Sequence, residues 1–167
     1  MDAEKKKTAL RMIPYGIYVL CAKAEDGSVA AGTVNWVTQS SFDPPLVAVG
    51  VKADSGIYGA LKASGHFALN MLAKGQQGLA FAFFKPAEQD GDTIIGEPFT
   101  EGSTGSAVLS NAPAAVECKV VEIVEQGDHH VVIGEVVDAV VAAEPDGRPD
   151  EAILEMKELG DNVFYGG

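Results

Sequence analysis

The sequence has few of the features that mark export, membrane insertion or disulfide crosslinking. Its 167 residues contain only two cysteines and no apolar run near the roughly 20 residues that cross a bilayer. Met1 to Lys7 is polar and is not followed by the apolar stretch of a secretory signal, so we expect a cytoplasmic protein. Cys21 and Cys118 lie in apolar, strand-like runs without the spacing of a zinc site or a redox pair, which predicts buried thiols.

The common catalytic motifs are also missing. No GxGxxG, GxxxxGK[ST], HExxH or GxSxG sequence occurs, so a Rossmann dinucleotide fold, a phosphate loop, a zincin and a hydrolase elbow all lose their main support. The chain has three histidines, His66, His129 and His130. Adjacent residues of a strand point to opposite faces, so His129 and His130 cannot readily share a metal ion. We therefore expect no metal site.

Positive charge is scarce as well. Twelve basic residues against 24 acidic ones give a formal net charge of -12, which disfavours nucleic acid and anionic membranes as partners. A small molecule or another protein is favoured instead. A few backbone N–H groups and one lysine can still bind a phosphate locally. The chain is 47% hydrophobic and 22% charged, as in ordinary globular proteins, and we expect residues 1–167 to form a single domain.

Apolar runs separated by turn residues predict a β-rich, α+β chain. The expected strands are residues 17–22, 29–37, 46–51, 67–72, 114–124 and 131–141, and the expected helices are residues 5–12, 57–63 and 76–84. Ser55 is positioned to cap the second of these helices. The polar, glycine-rich residues 87–105 suggest a long surface excursion. Six or so strands with a few short helices favour a barrel with the helices packed outside it.

One tract mixes polar side chains with bulky apolar ones and could line a pocket. The tract from Gly32 to Phe42 begins with the pattern Gly-x-x-Asn-x-x-Thr, and Asp43-Pro44-Pro45 follows the tract directly. This combination resembles the flavin reductase-like family. The resemblance continues over most of the chain, through residues 15–19, residues 64–72, the Gly127-Asp128-His129 turn and the strand at residues 131–137.

The resemblance implies a split β-barrel that binds FMN noncovalently at a homodimer interface and uses NADH or NADPH as electron donor. It implies that the isoalloxazine ring and ribityl chain are held by six residues of the tract, Thr33, Asn35, Trp36, Val37, Thr38 and Gln39. A flavin needs donors and acceptors at its ring edge and apolar groups on its faces, and such a tract offers both. An ordinary barrel strand with exposed polar side chains is the alternative.

Further roles follow from the same resemblance. Lys52 and Ser55 match the loop of the FMN phosphate site. Lys85, after Phe83-Phe84, is either a second cation for that phosphate or a solvated lysine without a role. Asn70 is either a flavin contact or a buried residue satisfied by the backbone. His129 would be the catalytic residue that positions nicotinamide or substrate, or else an exposed turn histidine without a role.

The phosphate loop departs from the family, since many relatives have a basic residue at the position of Ala53 and a threonine at that of Ile57. Within the family, the sequence resembles flavoredoxin, ferric reductase-like proteins and the flavin reductase module of diiron flavoproteins. The resemblance to that module lies in Trp36 and in the Tyr165-Gly166-Gly167 ending. An indole beside the ring would favour tight retention of FMN.

The resemblance implies three alternative functions. The first is an FMN-binding NAD(P)H oxidoreductase that passes electrons to free flavin, ferric complexes or a protein acceptor. The second is a flavoredoxin-like electron carrier with little nicotinamide activity. The third is a split barrel that has lost its flavin and serves as a binding module.

Overall fold

Antiparallel strands dominate the computed structural model, which describes residues 1–167. Eleven strands form two sheets: β1 (Tyr18–Lys23), β2 (Val29–Val34), β3 (Val37–Phe42), β4 (Pro45–Lys52), β5 (His66–Met71), β6 (Gln89–Asp90), β7 (Thr93–Ile94), β8 (Glu97–Glu101), β9 (Ala107–Leu109), β10 (Ala114–Val124) and β11 (His129–Val141). The helices are α1 (Ala3–Arg11), α2 (Gly56–Ser64), α3 (Gln77–Ala82), α4 (Pro149–Ala152) and a 3-10 turn (Met156–Leu159). The expected β-rich, α+β split barrel is confirmed.

The main sheet has seven strands in the order β2-β1-β5-β10-β11-β4-β3, and every pairing is antiparallel. The sheet coils until β2, at one end, approaches β4, near the other end. The two strands do not hydrogen-bond to each other. The barrel is therefore split between β2 and β4.

The β1–β2 hairpin turns at Asp26-Gly27, as predicted, with Gly27 in the left-handed conformation at φ 86°. The strand expected at residues 29–37 is interrupted. Asn35 and Trp36 separate β2 from β3, because the Asn35 side chain is buried and donates to the Tyr165 carbonyl at 3.1 Å. The Trp36 carbonyl accepts from Gly50 N at 2.8 Å, which turns the chain toward β4.

The central strand β1 is buried on both faces. Val19 and Cys21 pack into one apolar cluster, while Leu20 and Ala22 pack into a second one inside the barrel. Such two-sided burial explains why β1 is a continuous apolar run in the sequence. Burial raises the pKa of the Cys21 thiol to about 12 and acts likewise on Cys118, so both thiols are the buried groups that were expected.

Helix α2 begins and ends where the sequence indicated. The Ser55 hydroxyl accepts a hydrogen bond from Tyr58 N at 3.3 Å, and Gly65 ends the helix in the left-handed conformation at φ 70°. The Tyr58 hydroxyl donates to Glu125 at 3.0 Å and lies 2.6 Å from His130 Nδ1. These contacts tie α2 to the β10–β11 hairpin.

Residues 87–105 lie mostly at the surface, as expected, but they contain strands that the sequence did not indicate. About half of this segment forms β6, β7 and β8, which belong with β9 to a second, four-stranded sheet. Ile94 is fully buried, and Phe99 packs against the same apolar cluster. Polar and glycine-rich composition hid these strands, because they are short and bury only a few side chains.

The end of the chain docks on the barrel, as predicted. Ile17 N donates to the Leu154 carbonyl at 2.8 Å, and Leu154 is fully buried. Residues 162–167 have no regular secondary structure, yet Arg11 Nε donates to the Gly166 carbonyl at 3.2 Å. No helix of the structure combines the length and the apolar character that spanning a membrane requires.

Candidate functional site

A cavity of about 710 Å³ lies in the split of the barrel, between β2 and β4. Its walls come from β2, β4, the start of α2, the segment after α3 and the docked end of the chain. The residues that line it are 30–35, 50–52, 55–57 and 83–87, together with Ile17, His129, Met156 and Tyr165. This volume falls in the range of small-molecule and cofactor sites.

The charged groups around the cavity have one sign only. Lys52 and Lys85 line it, and no aspartate or glutamate does, although the chain as a whole carries a formal charge of -12. Lys52 Nζ lies 3.1 Å from Asp54 Oδ1 in an exposed ion pair, and Lys85 has no carboxylate partner. The cavity therefore favours an anionic ligand.

The start of α2 adds to this preference. Ser55, Gly56 and Ile57 line the cavity beside Lys52. The first N–H groups of a helix have no partner inside the helix, and the helix dipole adds partial positive charge there. The Ser55 hydroxyl is already engaged, because it donates to the Lys52 carbonyl at 2.6 Å and caps Tyr58 N. This corner suits a phosphate group.

The opposite wall is apolar and is joined to α3 by hydrogen bonds. Ile17, Ala31 and Phe83 are buried residues that line it. Thr33 joins this wall to α3, since its hydroxyl donates to the Ala80 carbonyl at 2.7 Å and its backbone N to the Phe83 carbonyl at 3.1 Å. A flat aromatic ligand would meet apolar surface here.

An imidazole and two aromatic rings meet at the edge of the cavity. The His129 ring centroid lies 4.6 Å from that of Trp36, and His129 Nε2 is 2.7 Å from the Tyr165 hydroxyl. His129 Nδ1 is 3.0 Å from Asp128 Oδ1. The hydrogen bond and charge of His129 lower the pKa of the Asp128 carboxyl. Desolvation by burial chiefly raises the pKa of Tyr165, and Asp128 adds to that effect.

The two adjacent histidines point to opposite faces of β11, as expected from strand geometry. His129 faces the cavity, whereas His130 Nδ1 contacts the Tyr58 hydroxyl. The structure contains no group of three or more His, Cys, Asp or Glu side chains arranged to hold a metal ion.

The predicted site residues fall into three groups, of which Asn70 alone is the third. The structure brings six of them together around the cavity, Thr33, Asn35, Lys52, Ser55, Lys85 and His129. Four others do not line the cavity of the single chain: Trp36, Val37, Thr38 and Gln39. The Trp36 ring covers Gly50, and its buried Nε1 has no hydrogen-bond partner. Val37 packs toward the barrel interior, while Thr38 and Gln39 are exposed on β3. Their roles as flavin contacts stay predictions.

Asn70 lies in the core and away from the cavity. Its side chain has no exposed area, donates to the carbonyls of Val19 and Ala107 at 3.2 and 3.3 Å, and accepts from Leu109 N at 2.9 Å. These contacts match the second role considered for Asn70, a buried side chain whose hydrogen bonds are made by the backbone.

Sequence reasoning assigned no site role to Met156 or Tyr165. Both line the cavity although they lie about 120 residues after β2. The only signals are their position in short apolar segments near the end of the chain and the Tyr165-Gly166-Gly167 pattern. No local spacing could have indicated that Asn35 would bind the Tyr165 carbonyl.

Comparisons with known proteins agree with this architecture. The chain is 31% identical over 152 residues to a flavin reductase (NADH) of Kitasatospora aureofaciens, covering 90% of this chain and 75% of the relative. It is 33% identical over 144 residues to diflavin flavoprotein A 1 of Synechocystis sp., covering 85% of this chain and 25% of that protein. The chain also spans only 42% of a probable flavin reductase of Rhizobium meliloti, so some relatives are far longer.

A solved structure supports the same grouping. The styrene monooxygenase flavin reductase of Pseudomonas putida S12 superposes with a TM-score of 0.70 and 31% identity, covering 83% of this chain and 87% of that one. The family model described as flavin reductase like domain matches residues 10–156, which contain both sheets and nearly all of the cavity lining. This chain therefore belongs to the flavin reductase-like domain family.

Proposed function

We propose that the protein is an NAD(P)H-dependent flavin oxidoreductase that holds FMN in the cavity between β2 and β4. The observation that carries this proposal is the cavity itself, which is lined by two lysines and no carboxylate in a strongly acidic chain. An enzyme named flavin reductase (NADH) matches over 90% of the chain, which supports the same reaction class.

The residues present fit FMN. The phosphate would bind at Lys52 and the first N–H groups of α2, with Lys85 as a second cation. The ring would lie against the apolar wall that contains Ile17 and Phe83.

Bound FMN would supply a ring that accepts a hydride from a nicotinamide and returns two electrons to an acceptor. The protein's part is placement. The lysines and α2 would hold the phosphate, the apolar wall would exclude water from one face, and His129 lines the cavity where it could contact a second ligand. No side chain needs to form a covalent bond.

We propose further that residues 1–167 act as one domain in a homodimer. The β10–β11 hairpin carries six valines with 38–56% of their surface exposed: Val121, Val124, Val131, Val137, Val140 and Val141. Phe42 on β3 is 92% exposed. Apolar surface of this kind is typical of an interface, and a second copy would cover it.

The electron acceptor is free flavin, a ferric complex or a partner protein. A relative named as the reductase of styrene monooxygenase favours free reduced flavin or a partner enzyme. The similarity to a diflavin flavoprotein instead favours a flavin that stays bound and serves a protein acceptor, as in the flavoredoxin-like alternative.

The visible absorption spectrum under anaerobic conditions tests the proposal. Purified protein reconstituted with FMN should show a flavin spectrum that bleaches on addition of NADH or NADPH. A bound flavin that stays oxidised with both donors but bleaches with dithionite would support the electron carrier instead. A protein that binds no FMN would contradict both the oxidoreductase and the electron-carrier functions.

Replacement of the cavity lysines should weaken binding of the phosphate selectively. We expect Lys52→Ala and Lys85→Ala each to raise the FMN dissociation constant about tenfold, the loss of one charged hydrogen bond. Riboflavin, which lacks the phosphate, should bind both variants as it binds the wild type. Flavin fluorescence quenching measures both affinities. Lys74→Ala, which removes an exposed lysine outside the cavity, is the matched control. Equal losses for FMN and riboflavin would contradict the assigned phosphate corner.

A further inference from the structure

We propose that Asp128, His129 and Tyr165 form a proton relay between solvent and the cavity, with the Tyr165 hydroxyl at the cavity end. The inference rests on the proposed function, because two-electron reduction of a flavin by NAD(P)H takes up one proton: NAD(P)H, oxidised flavin and H⁺ give NAD(P)⁺ and reduced flavin. It assigns a role to a tyrosine near the end of the chain.

The three groups form an unbroken hydrogen-bonded chain. Asp128 Oδ1 lies 3.0 Å from His129 Nδ1, and His129 Nε2 lies 2.7 Å from the Tyr165 hydroxyl. The Asp128 side chain is 93% exposed, whereas that of His129 is only 13% exposed. His129 and Tyr165 both line the cavity. His129 therefore links an exposed carboxylate to a tyrosine that lines the cavity and is 48% exposed in the single chain.

Each proton position follows from the donors and acceptors. Asp128 is ionised and accepts, so the neutral His129 ring carries its proton on Nδ1. Nε2 is then an acceptor, and the Tyr165 hydroxyl donates to it. His129 takes up the solvent proton at Nε2, while Asp128 keeps its hydrogen bond from Nδ1–H and stabilises the imidazolium. The Tyr165 hydroxyl then turns from Nε2 toward the cavity, and Nε2 passes its proton to the Tyr165 oxygen as the hydroxyl gives its own proton to the ligand. No bond other than O–H and N–H bonds breaks or forms.

The tail is held so that Tyr165 meets His129. Asn35 Nδ2 donates to the Tyr165 carbonyl at 3.1 Å, and the Tyr165 ring centroid lies 5.5 Å from that of Trp36. On the far side, Arg11 Nε donates to the Gly166 carbonyl, and the guanidinium stands 4.1 Å over the Phe164 ring. Four separate contacts thus position a segment that has no secondary structure of its own.

Charges from the neighbouring elements also act on the relay. Lys52 is opposite His129 in the β4–β11 register, and its ion-pair partner Asp54 belongs to the following loop. Lys52 lowers the pKa of Tyr165, while Asp128 and Asp54 raise it. Lys52 and Asp54 therefore act on the relay from the neighbouring strand and loop, and the Lys52→Ala variant described above should slow it as well as weaken FMN binding.

Tyr165→Phe tests the relay while keeping the ring that packs on Trp36. We expect the rate of bound-FMN reduction at saturating NADH or NADPH to fall at least tenfold, within the range of positioned proton transfer, while the KM for the nicotinamide and the FMN dissociation constant change less than twofold. Asp128→Asn should slow reduction similarly, and the double variant should be no slower than Tyr165→Phe, because the groups act as a unit. Tyr15→Phe is the control, since Tyr15 lies outside this cavity.

A second readout needs no flavin. Nitrogen-15 NMR of the imidazole in the flavin-free protein should show His129 as the Nδ1–H tautomer, and Tyr165→Phe and Asp128→Asn should each mix the two tautomers. Mixed tautomers in the wild type, unchanged reduction in Tyr165→Phe, additive effects, or a loss of FMN affinity equal to the loss of rate would each overturn the relay. A wild type that nicotinamides cannot reduce would instead remove the proposed function and the relay together.

Discussion

Gly32→Val should abolish FMN binding and leave the fold intact. Gly32 lies in β2 and lines the cavity, and a Cβ built there meets only Ile57 Cδ1 and the Phe83 carbonyl, both at 3.9 Å. The backbone therefore has room for the first carbon, and the two methyl groups of valine would extend into the ligand space. We expect the FMN dissociation constant to rise more than about a hundredfold, equivalent to about 2.7 kcal/mol.

Thermal unfolding of the flavin-free protein separates this effect from damage to the barrel. Valine is well suited to a strand, so the unfolding temperature of Gly32→Val should equal or exceed that of the wild type. Gly59→Ala, on the exposed side of α2 with no atom within 4 Å of its added Cβ, should stabilise the protein by up to about 1 kcal/mol and leave FMN binding unchanged. Wild-type FMN affinity in Gly32→Val would show that the flavin binds elsewhere.

Glu117→Gln should destabilise the fold by about 3 kcal/mol, the scale for disrupting a buried, hydrogen-bonded charge. Glu117 is only 1% exposed, and its carboxylate accepts four hydrogen bonds from the backbone N–H and hydroxyl groups of Ser103 and Thr104. The chain passes so close that Gly102 has no room for a Cβ beside the carboxylate. Glutamine would turn a donor amide toward groups that are themselves donors.

The same carboxylate should make stability depend on pH. Burial alone would raise its pKa, but the hydrogen bonds from Thr104 and Ser103 outweigh burial and lower it. A lowered folded-state pKa means that the stabilisation is complete above the ordinary glutamate pKa of about 4.3 and is lost as pH falls through the lower, folded-state value. Chemical denaturation between pH 3 and 7 should therefore show a stability loss at low pH that is smaller in Glu117→Gln.

The exposed Glu122 of the same strand provides the control for this substitution. Glu122→Gln should change the free energy of unfolding by less than about 0.5 kcal/mol, as is usual for surface sites. Equal stability of Glu117→Gln and Glu122→Gln at pH 7 would show that the four hydrogen bonds contribute nothing beyond what water supplies.

Strands with strong local signals were predictable from the sequence. The β10 strand has the predicted bounds because its apolar run is long, and α2 has a serine cap and a glycine end that act locally. The small sheet at residues 89–109 was missed, since strands of two to five residues produce little periodicity. The break at Asn35 was missed because it depends on a hydrogen bond to Tyr165, about 130 residues away in the chain.

The site shows the same division between local and long-range information. Lys52 and Ser55 could be placed from a strand, a loop and a helix cap in sequence order, and they do line the cavity. Asn70 could be a ligand contact or a core residue on sequence grounds, and only its burial between β1 and β9 distinguishes the two. The pairing of His129 with Tyr165 arises from docking of the tail and has no local signature.

The exposed strand face beside the cavity has a thermodynamic consequence. One outer face of β4 and β11 contains Ala48, Gly50, His129 and Val131, which alternate along the strands with core residues. This face continues from the cavity edge toward the exposed valines of the β10–β11 hairpin. A second copy that covers this face would enclose a bound flavin, and cofactor retention would then be linked to self-association by mass action. Dilution alone would release the cofactor, and excess cofactor would drive the subunits together.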